Sequence, residues 1–119
     1  MNQPPPSPPT VYIAFRQVEP SPIWEHDIRQ AFAGLLGDCD EISYGHVMLS
    51  RLAPHRDGDQ FAACIEVVLP HDVLIVNAYT EPGEGAYLAV ESALKQMAAR
   101  LQRYASRRRS RRRRVAVNS

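Results

Sequence analysis

Tyr87, Val90, Leu94, Met97, Leu101 and Tyr104 recur at spacings of 3, 4, 3, 4 and 3. That is the period of one face of an α-helix, sustained over about five turns. A helix with a single apolar stripe needs a surface to lie on, and the upstream sequence supplies one. Val11, Ile13 and Phe15 alternate with Tyr12 and Ala14, and Phe61, Ala63, Ile65, Val67 and Leu69 occupy every second position of another run. Period two marks strands with one buried face. Ile42 to Leu52 is rich in strand formers, with Gly45 as a candidate bulge, and Val73 to Tyr79 supplies a fourth strand. The turns Arg56-Asp57-Gly58-Asp59 and Pro70-His71-Asp72 are short, so strands two to four are expected to form an antiparallel meander.

A second helix starts at Ser21-Pro22, an N-cap hydroxyl followed by a proline at the first helical position, with Glu25 and Asp27 suited to the positive end of its dipole. Its stripe is Trp24, Ile28, Ala31, Phe32 and Leu35, and Gly37 is a plausible stop. The order strand, helix, three strands, helix predicts an α+β fold. It is a β-α-β-β-β-α two-layer sandwich with a four-stranded sheet and both helices on one face. The other face would then be open, and Ala62, Cys64, Val68, Val76 and Ala78 are candidates for an apolar patch there. Such a patch suits a protein-interaction module or a homodimer contact through the open sheet face.

At 119 residues and 13.4 kDa the chain holds one domain's worth of core. The expected division is a Pro-rich disordered leader over residues 1–10, a folded α+β body over 11–105 and an Arg-rich disordered tail over 106–119. No stretch approaches the roughly 20 apolar residues of a membrane span, and the polar, proline-rich N-terminus has no apolar signal core, so a cytoplasmic location with no membrane partner is expected. Cys39 and Cys64 are too few and too far apart for a disulfide scaffold, and are expected to be free thiols.

The formal net charge of +1 hides a sharp segregation. All thirteen acids lie at or before Glu91, and against them residues 1–99 set only Arg16, Arg29, Arg51, Arg56 and Lys95, a net −8. The last twenty residues hold nine arginines and no acid, a net +9. Seven of the nine fall in the eight residues Arg107 to Arg114. A density of this kind exceeds what solubility needs and points to a polyanion, so Arg107, Arg108, Arg109, Arg111, Arg112, Arg113 and Arg114 are candidate phosphate contacts. Arg100, Arg103 and Arg107 share one edge of the last helix, expected opposite its apolar seam.

Catalysis needs convergent groups, and none are legible. His26, His46, His55 and His71 lack metal-ligand spacing, and neither cysteine lies in a motif that lowers a thiol pKa. Glu25-His26-Asp27 places its side chains about 100° apart on a helix, so they diverge. There is no phosphate-cradling glycine loop or nucleophile elbow. No enzyme activity, metal or cofactor is expected.

Phe15-Arg16 followed by Pro20-Ser21-Pro22, Ile28-Arg29 in the first helix, and Ala53-Pro54-His55-Arg56 before the third strand form an ordered set with two pieces of the last helix, Ala86-Tyr87-Leu88-Ala89-Val90 and Leu101-Gln102-Arg103-Tyr104. The set resembles the ribosome hibernation-promoting factors, also called ribosome-associated inhibitors or sigma-54 modulation proteins, in their short, single-domain bacterial form. The resemblance covers about residues 11 to 107. It implies a fold similar to double-stranded-RNA-binding domains and a non-catalytic inhibitor of translation under stress. The implied partner is the small ribosomal subunit and its ribosomal RNA, bound in the decoding region where messenger and transfer RNA are excluded. It carries RNA contact over to Arg16, Arg29, Arg56, Lys95, Arg100 and Arg103. The typical family domain has a more basic helical face; here Glu25, Asp27 and Glu91 stand on it, which throws weight onto the tail. The competing reading is a general nucleic-acid binder that uses the arginine tail alone.

Overall fold

The alternating segments pair into one sheet: β1 (Thr10–Arg16), β2 (Tyr44–Arg51), β3 (Phe61–Leu69) and β4 (Asp72–Tyr79), in the spatial order β1-β2-β3-β4. The computed structural model describes residues 10–54 and 56–118, the last seven of these by backbone alone. The proline-rich leader lies outside the described residues except for Thr10, which opens β1. β2, β3 and β4 form the expected antiparallel meander, while β1 runs parallel to β2. A parallel pair needs a crossover, and the helix α1 (Pro22–Ala33) with its 3-10 turn (Gly34–Gly37) provides it. α1 starts where Ser21 caps it: the Ser21 hydroxyl oxygen accepts from the Trp24 backbone N–H at 3.2 Å, and Pro22 fills the first helical position.

α2 (Tyr87–Asn118) lies over β3 and β4, with α1 on the same side of the sheet toward β1. The core is what those faces enclose. Ile28 and Phe32 of α1 and Ala89, Val90, Ala93, Met97 and Leu101 of α2 meet Val47, Leu49, Ala63, Ile65 and Val67 of the sheet, all at most 1% exposed. Three of the contributions from α2 differ from the sequence stripe. Tyr87, Leu94 and Tyr104 pack on the core only in part, because the small residues Ala89 and Ala93 let the helix settle closest to the sheet along their side.

Gly45 does not mark a bulge. The β2–β3 register is continuous from Tyr44↔Val68 to Arg51↔Phe61, and Gly45 faces the helix layer. A Cβ there would lie 2.6 Å from Phe32 Cε2 and closer still to Cζ, so the absent side chain is the socket for the Phe32 ring. β4 also corrects the expected open face. Val76 and Ala78 pair with Ile65 and Ala63 and are buried on the helix side, which turns Ile75, Asn77 and Tyr79 outward.

Residues 106–118, expected as a disordered tail, continue α2 to Asn118. No glycine or proline follows Gly85, and arginine is a good helix former, so nothing local ends the helix. At 1.5 Å per residue its 32 residues span about 48 Å, against about 27 Å for an eight-residue strand. The arginine-rich end therefore overhangs the sheet.

Candidate nucleic-acid interface

The overhang of α2 sorts its arginines by helical phase. At 100° per residue, Arg100, Arg103, Arg107 and Arg111 fall within about 80° of one another, one stripe at i, i+3, i+7 and i+11. This stripe is not opposite the apolar seam. It is on the flank that meets the β4 edge, where Arg100, Arg103 and Arg107 line an open cleft of about 270 Å³ with Asp72, Leu74 and Tyr104. The expected opposite placement fails because the seam and the stripe are only about 110° apart on the helix. Tyr104 forms the apolar wall between them. Among the described residues Asp72 is the acid that lines this cleft, and its Oδ1 already accepts from the Val73 backbone N–H at 2.8 Å.

The other flank of α2 is neutralised by the body. Gln102 donates to Asp38 Oδ1 at 2.7 Å and Arg108 Nη2 lies 3.4 Å from Glu41 Oε1. Arg108 and Arg109 line a second cleft, of about 200 Å³, with Cys39, Asp40, Glu41 and Ala105. The loop after the 3-10 turn thus holds one side of the helix through Asp38 and Glu41, with Asp40 lining the cleft beside them, and leaves the Arg100–Arg111 stripe as the cationic flank. Burial pushes the Cys39 thiol up, opposed by its hydrogen bond with the Glu41 backbone and reinforced by the negative charges of Glu41 and Asp40. Burial likewise pushes up Cys64, with help from Glu66. Neither thiol is an activated nucleophile, and among the described residues no group of three or more His, Cys, Asp or Glu could hold a metal ion.

The remaining candidates are dispersed. Arg29, on α1, is committed at both ends of its fork: Nη1 donates to the Val11 carbonyl oxygen at 2.7 Å and Nη2 pairs with Glu25 Oε1 at 3.0 Å. Arg100 is engaged at one end of its fork at the opposite edge, donating from Nη1 to the Ile75 carbonyl oxygen at 2.7 Å. Two residues carried over as RNA contacts therefore cap carbonyls on the two edge strands, a role that blunts edge-to-edge pairing. Arg100 retains the rest of its guanidinium in the cleft. Arg16 ends β1 and borders a hollow on the open sheet face with Ser50, Ala62 and Tyr79, away from the α2 flank. Arg56 is exposed on the β2–β3 turn and Lys95 is exposed on α2. Residues 112, 113 and 114 continue the helical backbone, and their side chains lie outside the described set. Sequence reasoning missed Tyr104 and Asp72 as cleft residues; the seam spacing contains Tyr104, but only packing shows that it also walls the cleft.

Among the described residues no helix is long and apolar enough to cross a membrane. No family model matches the sequence. No curated protein matches it. Among solved structures, the chain is similar to a ribosomal subunit interface protein from Coxiella burnetii, with a TM-score of 0.65, 18% identity, and 82% of this chain and 98% of that one covered. It is also similar to the N-terminal domain of Thermus thermophilus Protein Y, with a TM-score of 0.62, 20% identity, and 78% and 94% covered. Both are hibernation-promoting-factor proteins, and their α+β architecture is the one built here from strand alternation and helix stripes. The fold of this chain is the fold of the ribosome hibernation-promoting factors.

Proposed function

We propose that this protein is a non-catalytic, ribosome-associated inhibitor of translation that binds ribosomal RNA of the small subunit in the decoding region under stress. The observation that carries the reading is the arginine stripe: Arg100, Arg103 and Arg107 of one helix line one cleft, on a fold shared with a ribosomal subunit interface protein. Guanidinium groups at i, i+3 and i+7 repeat about every 5 Å along the helix axis and offer planar, bidentate contacts to successive phosphates. Phosphate contacts position a protein without reading sequence, so site selection falls to the shape of the folded body. The acidic loop Asp38–Glu41 assists by repelling RNA from the other flank of α2, which restricts docking to one side of the helix.

The test is cosedimentation of the purified chain with small subunits in competition with transfer RNA. Saturating protein is expected to displace transfer RNA and to lower translation in vitro. Alanine at Arg103 and Arg107 is expected to weaken that inhibition more than it weakens binding to an unstructured RNA. Undiminished transfer-RNA binding on saturated subunits sinks the proposal and favours a general nucleic-acid binder.

A further inference from the structure

We infer that the open face of the sheet is a self-association surface whose occupant is a second copy of this chain. Tyr12, Tyr44, Met48, Val73, Ile75 and Tyr79 stand on that face and are all at least 40% exposed, with Tyr79 at 64%. The rings lie against each other rather than standing free: Tyr12 stacks on His46 at 5.1 Å and meets Tyr44 edge-on at 6.3 Å. The result is a face rich in exposed apolar and aromatic side chains on the side of the sheet away from both helices. Its footprint, eight residues by four strands, is about 27 by 19 Å, or roughly 500 Å². Two such faces bury about 1,000 Å², the lower bound for a specific interface.

Charge decides the occupant. A platform for single-stranded nucleic acid combines aromatic rings with a cationic groove. This face carries Arg16 and Glu66, and Arg51, which borders the same hollow as Arg16, is paired with Asp59 at 3.7 Å, so the charges balance and leave no net field to draw a polyanion. It is instead complementary to itself. The registers place Tyr12, His46, Glu66 and Ile75 on one level across the four strands, and Arg16, Ser50, Ala62 and Tyr79 on another. A two-fold axis between two such faces and parallel to the strands keeps each level and lays β1 over β4 and β2 over β3. His46 of each copy then faces Glu66 of the other. Arg16 faces the Tyr79 ring, Tyr12 faces Ile75 and Met48 faces Cys64. A two-fold axis across the strands would set Glu66 against Cys64 and Arg16 against Thr10, burying both charges without partners. Of the two arrangements, the along-strand dimer gives Glu66 a hydrogen-bonding partner in His46 and Arg16 an aromatic face in Tyr79. It leaves the α2 arginine flank exposed, so it stands whether or not that flank binds the ribosome.

The full chain is examined by sedimentation velocity from about 1 to 200 µM, since an interface near the lower size bound predicts a micromolar dimer. The mass is expected to rise from 13.4 kDa toward twice that value. His46→Glu sets a carboxylate against Glu66 at both contacts and Glu66→Lys sets an unpartnered ammonium against His46 at both, and each alone is expected to weaken the dimer by tenfold or more. In an equimolar mixture of the two variants one contact pairs the introduced carboxylate with the introduced ammonium and the other restores His46 against Glu66, and the mixture is expected to dimerise at least tenfold more tightly than either alone. Any damage within a single chain is the same in the mixture as in the separate samples, so recovery reports only the interface. The inference is overturned by a wild-type chain that stays at monomer mass throughout, which returns the face to residues 1–9 or to nucleic acid. A mixture no tighter than its components also overturns it.

Discussion

Gly45→Ala tests the packing of α1 against the sheet with a single methyl group. The new Cβ would sit 2.6 Å from Phe32 Cε2, closer to Cζ, and 3.0 Å from the Glu66 carbonyl oxygen. Ordinary contact needs about 3.5–4.0 Å, so the ring must retreat by an ångström or more. It has little room: Phe32 is 1% exposed and is among the largest fully buried side chains. Overpacking of this kind costs about 1–3 kcal/mol or more. Against it stands the entropy that alanine saves over glycine in a strand, about 0.5–1 kcal/mol. The net expectation is a loss of about 1–2 kcal/mol, which for a body of this size lowers Tm by roughly 5–15 °C. Thermal and urea unfolding followed by circular dichroism measure it. Phe32→Leu removes the clashing ring edge, so the double variant is expected to be more stable than the sum of the two single effects by about 1 kcal/mol or more. A Gly45→Ala protein as stable as its parent, or strictly additive single effects, would refute the socket. Gly45 would then be in the strand for another reason.

Replacing Arg103 and Arg107 with alanine is expected to flatten the dependence of log K on log salt for single-stranded RNA by about 1.4, whereas Arg108→Ala, already paired with Glu41, should change it least among the stripe and flank arginines; filter binding across a salt series reads both. Ser21→Ala removes the cap of α1 and should cost about 1 kcal/mol, measured as a shift in urea midpoint. The buried Cys39 and half-buried Cys64 thiols have folded pKa values raised above the ordinary 9.0, so the unfolded chain loses its protons first as pH rises. Their contribution to stability is complete below the ordinary thiol value and is lost as pH climbs through the raised values. Urea midpoints between about pH 8 and pH 11 should fall, and Cys39→Ala should reduce that fall.

Much of this protein was written in local periodicity. The alternation at Phe61 to Leu69, the Ser21-Pro22 start and the 87-to-104 seam each name an element and its buried face, because burial on one side imposes period 2 on a strand and 3.6 on a helix. The same rule explains where reading stopped. Val73 to Tyr79 is apolar at nearly every position, so it has no period of its own, and only its pairing with β3 decides that Val76 and Ala78 go inward while Ile75 and Tyr79 go out. The tertiary structure likewise decides what each arginine does. Composition counts nine arginines in the last twenty residues and places a cationic segment against an acidic body. It cannot say that Arg29 is spent on Val11, Arg100 partly on Ile75 and Arg108 on Glu41, partners 18, 25 and 67 residues away. Charge is a property of the residue and is legible in the sequence. The availability of that charge depends on which carbonyl or carboxylate the fold brings within 3 to 4 Å, and only packing settles that.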